Sequence, residues 1–189
     1  MSVLDRLADL SPERVRPLRR VEYERMAAEG RFEGERVELL EGVIVEMSPQ
    51  DPHHAGTVQR LTEALARVLL GRAGIRVQLP LSVSDDSLPE PDVAVVAPGD
   101  YDDAHPSAAF LVAEVAETSL RKDRLVKADL YAIAGVVEYW VVNLVDRRIE
   151  VHTDAVGGRY TRQMPAQRGE AIRPRAFSDV EIAVSDIVR

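Results

Sequence analysis

Apolar positions along this chain switch between two periods. From His54 to Leu70, Val58, Leu61, Leu65, Val68 and Leu69 recur three or four residues apart, which predicts a helix with one buried stripe, closed by Gly71. From Ile75 to Val83 the period drops to two, with Ile75, Val77, Leu79, Leu81 and Val83 alternating with other residues, so a strand with one buried face is expected. Arg36 to Met47 is β-rich on both sides of Glu41-Gly42, a tight-turn signal that predicts a hairpin. Short β-branched runs at Val93 to Ala97 and Phe110 to Ala116 flank the Pro, Gly and Asp-rich stretch Pro98 to Ser107, and the simplest arrangement is an antiparallel pair. Arg121 to Ala134 predicts a second principal helix ending at Gly135. Glu138 to Val145 suits a central strand, Asp146-Arg147 turns it into Arg148 to Thr153, and Gly157-Gly158 marks a further hairpin leading to Tyr160 to Gln163.

Val21 to Glu29 has helical composition, Met1 to Arg20 reads as an arm or short helix, and Val180 to Val188 mixes strand and helix signals. Two principal helices and seven to nine strands in mixed order predict an α/β fold, an α+β mixed sheet with helices packed on it. With 189 residues and 46% apolar content, one domain is expected, with a core over 21–153, an arm over 1–20 and a β extension over 154–189.

Charge and composition narrow the function classes. There is no cysteine, which removes disulfides, thiolate zinc sites and a cysteine nucleophile, and His53, His54, His105 and His152 have no zinc-type spacing. No run approaches the ~20 apolar residues of a membrane span, and the charged Met1 to Arg20 has no signal-peptide core, so a cytoplasmic protein without a membrane partner is expected. The net charge of −8 argues against a tight, nonspecific DNA binder. It leaves room for an enzyme that meets phosphate through divalent cations, because acids that hold such ions add negative charge to the bare chain. The basic clusters Arg14 to Arg20 and Arg121 to Arg124 have the composition of solvated faces.

Two acids stand out. Asp92 opens the Val93 run and Glu114 lies toward the end of the Phe110 run, so in an antiparallel pair both sit abreast, away from the connecting loop. Carboxylates brought together repel unless a cation lies between them. A metal site and a pair of solvated strand-end acids are equally good readings of that spacing. On the second helix Asp123, Lys127 and Tyr131 share a face, beside an apolar stripe of Val126, Leu130 and Ile133. Spacing alone favours an ordinary surface Asp-to-Lys pair.

Taken in order, Val37-Glu-Leu-Leu-Glu-Gly-Val-Ile-Val-Glu-Met-Ser-Pro49, His54 at a helix start, Pro91-Asp92, Val112-Ala-Glu-Val115, Asp123 with Lys127 and Tyr131, and Ala134-Gly-Val-Val-Glu-Tyr-Trp-Val-Val142 resemble the bacterial restriction-endonuclease-like domain family of the PD-(D/E)XK nuclease superfamily. The resemblance runs from about Val21 to Thr153 and implies a restriction-endonuclease-like core with extra β-hairpins. It implies that Asp92 and Glu114 bind metal, that Glu38 is the upstream acid, and that Lys127 is a catalytic lysine displaced onto the following helix. The superfamily's usual lysine position, two after the acid, is Ala116, which leaves Lys122 as the other candidate. Glu117 stands where a small hydroxyl residue is usual, as a second metal ligand or a helix cap at Thr118 or Ser119. His54 matches a recurrent family position, with a helix-start role as the alternative, and Asp123 is a further site candidate.

The activity implied is Mg²⁺-dependent, or Mn²⁺-dependent, hydrolysis of phosphodiester bonds in nucleic acid, DNA first, with a homodimer suited to cutting both strands. A noncatalytic interaction module that keeps the fold, motivated by Ala116 and the acidic charge, and a metal-dependent hydrolase of small phosphate esters are the rivals. The nuclease reading requires Glu38, Asp92, Glu114 and Lys127 to converge within about 8 Å.

Overall fold

A computed structural model describes residues 16–189. Residues 1–15, most of the expected arm, lie outside the described residues. Helix α1 (Arg20–Ala28) leads into a hairpin of β1 (Val37–Leu40) and β2 (Val43–Glu46), whose loop residues Glu41 and Gly42 both take positive φ, as a two-residue hairpin loop requires. Helix α2 (Pro52–Leu69) follows, then β3 (Gly74–Val77), β4 (Val93–Val96) and β5 (Leu111–Ala116). The second principal helix is continuous but changes winding, from α3 (Leu120–Lys122) through a π segment (Asp123–Lys127) to α4 (Ala128–Ile133). After it come β6 (Tyr139–Asn143), β7 (Arg148–Val156), β8 (Arg159–Gln167), β9 (Ala171–Ile172), a 3-10 turn (Arg175–Phe177), β10 (Ile182–Ala183) and α5 (Val184–Ile187).

Strands β3 to β8 form one six-stranded sheet in sequence order. Only β5 and β6 pair in parallel, and the helix between them is the crossover that such a pair needs. The sheet is covered on both faces, which is why every residue of β4, β5 and β6 is buried. One face carries Val93, Val95, Leu111, Ala113, Val115, Trp140, Val142 and Ile149 against Val58, Leu61, Leu65 and Leu69 of α2. Each of the Val, Leu and Ile side chains contributes about 1.5–3 kcal/mol when fully buried. The other face sets Ala94, Val96, Val112, Ala116, Tyr139 and Val141 against Ala128 and Tyr131 of the second helix.

The mixed α/β architecture, both principal helices, the β1–β2 hairpin and the antiparallel β4–β5 pair follow the expected pattern. The strand expected over Ile75 to Val83 does not. It stops at Val77, because Gln78 adopts a left-handed φ of 52° and its N–H turns to the Pro91 and Asp92 carbonyls. Leu79 is then exposed while Leu81 is buried against the second helix's side of the sheet. The strand after Gly157-Gly158 runs longer than Tyr160 to Gln163, pairing along most of β7. The unresolved tail signal becomes β10 followed by α5, and Ile172, Phe177, Ile182, Val184, Ile187 and Val188 join the α2 side of the core. Among the described residues no helix is long and apolar enough to cross a membrane.

The second helix also corrects the expected faces. Val126 and Ile133 of the apolar stripe are largely exposed, whereas Asp123 and Lys127 are 2% exposed and Tyr131 is fully enclosed. A π segment takes more residues per turn than an α-helix, so the buried face rotates onto the charged line.

Candidate active site

The register Val93 to Ala113 sets Asp92 opposite Glu114 at the end of the β4–β5 pair, so both carboxylates reach the face covered by the second helix. Glu38 arrives from β1, held there by a bridge between Leu39 and Leu88, and the π segment lowers Lys127 between the acids. Lys127 Nζ lies 2.9 Å from Glu114 Oε1 and 3.1 Å from Glu38 Oε2, with Lys122 Nζ 3.1 Å from Glu38 Oε1. All but Lys122 are essentially out of solvent. Lys127 thus bridges Glu38 and Glu114, and Asp92 faces Glu114 across the strands.

Each acid is fixed differently. Asp92 Oδ2 accepts the Val115 N–H at 2.8 Å, and Oδ1 faces His54 Nε2 and the Gln78 amide, both at 3.2 Å. Glu38 also accepts the Glu90 N–H at 3.3 Å. Glu114 accepts Lys127 and the Tyr131 hydroxyl, at 2.8 Å, on the same oxygen, and its Oε2 has no hydrogen-bond partner among the described residues. Asp123 accepts the Ser119 hydroxyl at 2.6 Å.

Electrostatics follow from the count of charges around one ammonium. Burial pushes Glu114 above the usual carboxylate range, and Asp92, Asp123 and Glu38 add to the push against Lys127. Burial likewise raises Asp123. Burial would raise Glu38 too, but two lysines hold it low, and the contacts from His54, Val115 and Gln78 do the same for Asp92. Lys127 stays protonated: burial opposes its charge, but Glu114, Glu38 and Asp123 outweigh it. The result is a cleft with more carboxylate than cation.

Of the other expected residues, His54 is in place, half-buried in the first turn of α2, where the Asp51 carboxylate caps the helix through the His53 and His54 N–H groups. It has both the helix-start position and a contact to Asp92. Glu117 is exposed at the mouth of the cleft, and Ser119 is the residue at the helix N-cap. Ala116 is fully buried on Glu114's side of the sheet, in the cluster with Ala128 and Tyr131, and the ammonium in contact with Glu114 is that of Lys127 on the following helix. Lys127 is therefore no surface pair. Gln78, Tyr131 as a donor to Glu114 and Glu90 were not foreseen as site residues. Tyr131 carried a signal, its place in line with Lys127, whereas Gln78 reaches Asp92 only through the break in β3.

The cleft is small, about 100 Å³, room for an ion with a few waters rather than a nucleotide. Among the described residues no three His, Asp or Glu side chains already stand as a metal cage. The donors fit a hard cation nonetheless. Mg²⁺ commonly takes one or two carboxylates and completes its shell with water and phosphate, and Asp92 and Glu114 supply two carboxylates in an over-acidic cleft.

The fold is similar to that of a protein described as a putative nuclease belonging to DUF820 from Anabaena variabilis, with a TM-score of 0.64, 16% identity, and coverage of 82% of this chain and 90% of that one. No curated protein matches the chain. The family described as "Putative restriction endonuclease" (Uma2) matches residues 20–185, and the chain belongs to that family.

Proposed function

We propose that this protein is a metal-dependent nuclease that hydrolyses phosphodiester bonds of DNA. The observation that carries the proposal is Lys127 gripping Glu114 and Glu38 beside Asp92, in a cleft whose carboxylates outnumber its cations. Asp92 and Glu114 would hold Mg²⁺, or Mn²⁺, through oxygen. When bound, the ion lowers the pKa of an attacking water and neutralises charge growing on the phosphate. The Val115 N–H and Gln78 amide hold the Asp92 carboxylate in orientation, and Tyr131 does so for Glu114. Lys127, kept protonated, donates toward the attacking water or the phosphate oxygens. Glu38 acts as a positioning residue, anchoring the Lys127 and Lys122 ammoniums. Lys122, at the rim, meets the substrate backbone. Cutting both strands calls for two such sites, which a homodimer supplies.

Asp92→Asn and Glu114→Gln should each lower Mg²⁺-dependent nicking of plasmid DNA by about a thousandfold or more while circular dichroism stays that of the native fold. Undiminished cleavage by both variants would sink the proposal. Parallel turnover of plasmid DNA, RNA and free nucleotides separates a polymer substrate from small phosphate esters. Titration calorimetry showing no Mg²⁺ or Mn²⁺ binding would favour a noncatalytic module.

A further inference from the structure

A second, larger cleft lies beside the acidic one, and Lys122 lines both. It is open and measures about 740 Å³, bounded by the outer side of the second helix and by the exposed ends of β7 and β8. Its rim carries Arg121, Lys122, Arg124 and Arg159 against Glu41 and Asp129, so it is cationic where its neighbour is anionic. Arg159 pairs with Asp129 and Arg124 with Glu150, whereas Arg121 is exposed.

Deeper in, the cleft meets His152, Tyr160 and Gln163. His152 is 7% exposed, and its Nε2 is buried without a hydrogen-bond partner. Burial lowers its pKa and so favours the neutral imidazole, with the nearby Glu150 carboxylate opposing and the Arg124 guanidinium reinforcing that effect. A neutral imidazole presents one donor and one acceptor edge, and leaving such a group unpaired in the interior costs about 1–3 kcal/mol. Tyr160 stacks over Tyr139 at 18° and meets His152 edge-on, so the wall here is aromatic, while its hydroxyl is committed to the Val136 carbonyl. Gln163 is exposed at the end of this wall, its Nε2 donating to Glu150 Oε2 at 3.3 Å.

A volume suited to a nucleotide, an aromatic wall, an imidazole lacking a partner and a cationic rim describe a receptor for a heterocycle joined to phosphate. We propose that this cleft receives an unpaired nucleobase of the strand whose neighbouring phosphate lies in the acidic cleft. The base would stack on Tyr160 and offer an edge to His152 and to Gln163 Oε1, and its phosphate would meet Arg121, with Lys122 at the boundary between the two clefts. The inference rests on the nuclease reading and sharpens it: the preferred substrate is DNA with an extrahelical or single-stranded nucleotide rather than a perfect duplex.

The test is metal-free binding by the full chain, read by fluorescence anisotropy, with a perfect duplex, the same duplex carrying one extrahelical nucleotide, the single strand, and a deoxynucleoside monophosphate. The extrahelical and single-stranded probes should bind about tenfold tighter than the perfect duplex. Arg121→Ala, a surface change, should weaken every polymer probe, while Gln163→Ala and His152→Phe should remove the preference for the unpaired base. Should His152→Phe fail to fold, Gln163→Ala alone decides that arm. Equal affinity for all DNA probes, or a preference untouched by these variants, would overturn the inference and leave the nuclease reading intact. Binding of the free monophosphate as tight as the single strand would also overturn it, by making the cleft a nucleotide site unconnected to a polymer. Absence of Mg²⁺-dependent cleavage by the native chain, with its preference for the unpaired probes intact, would instead count against the nuclease reading alone.

Discussion

Glu114 and Glu150 lie in one row of the sheet, Glu114 opposite Val141 on β6 and Val141 opposite Glu150 on β7, both on the face under the π segment. Both are almost fully buried, and each receives a cation from that segment, Lys127 for Glu114 and Arg124 for Glu150. Their surroundings then diverge. Glu150 gathers Arg124, Arg148, the Asn143 amide and Gln163, and these contacts outweigh burial to hold it down to about 2. Glu114 shares one ammonium with Glu38 and has Asp92 and Asp123 as like-charged neighbours, so it is pushed up. One carboxylate is saturated with donors and fixes the fold. The other is left short of positive charge, and in the proposed function that shortage is what a divalent ion would relieve.

The comparison breaks most decisively at Lys127. Lys127→Met leaves the buried Glu114 without its ion pair and Glu38 with Lys122 alone, and should cost about 3–5 kcal/mol in urea unfolding along with nearly all cleavage. Mg²⁺ should restore part of that stability, and failure to do so would contradict a cation-seeking cleft. In the native chain, Mg²⁺ at a hundred times its Kd should add about 2.7 kcal/mol, and Glu114→Gln should abolish the gain. An equal gain in Glu114→Gln would place the ion elsewhere.

At the saturated end of the row, Glu150→Gln should destabilise by about 1–3 kcal/mol at neutral pH with no change in Mg²⁺ response. Because folding lowers Glu150 from 4.5 to about 2, its contribution is complete above about pH 4.5 and is lost as pH falls toward 2. The variant should therefore show a flatter acid limb in stability, and an unchanged limb would refute the assignment. The smallest effect belongs to Tyr131→Phe, which removes one hydrogen bond from Glu114 and should cost about 0.5–1.5 kcal/mol. A larger cleavage loss than stability loss would mark Tyr131 as a positioning residue for that carboxylate.

Asp92 and Glu114 were legible as neighbours because strand register is a local property of two runs and their loop. Glu38 was placed by resemblance alone, since its approach depends on the nonlocal bridge between Leu39 and Leu88. Spacing alone puts Lys127 in a surface pair, whereas the structure buries it between Glu38 and Glu114. Its apolar neighbours at helical spacing imply one rotation, and five residues wound as a π segment impose another, which no periodicity of 3.6 reports. Gln78 was hidden for a related reason. An unbroken alternation from Ile75 to Val83 concealed a single residue with left-handed φ, and that kink carries the amide to Asp92. The saturated row-mate Glu150 left no trace in sequence, because beyond its own strand its partners come from the π segment, β6 and β8.

The residues near the end of the chain have a consequence for order of synthesis. Ile182, Val184, Ile187 and Val188 close the core beneath α2, and the Arg60 side chain of α2 donates to the Ile187 carbonyl. During translation the sheet that holds Asp92 and Glu114 lacks this underside until residue 188 has emerged from the ribosome. The sheet that bears Asp92 and Glu114 is thus backed on one face by a segment made after it, so its packing is complete only once residues 182–188 dock against α2.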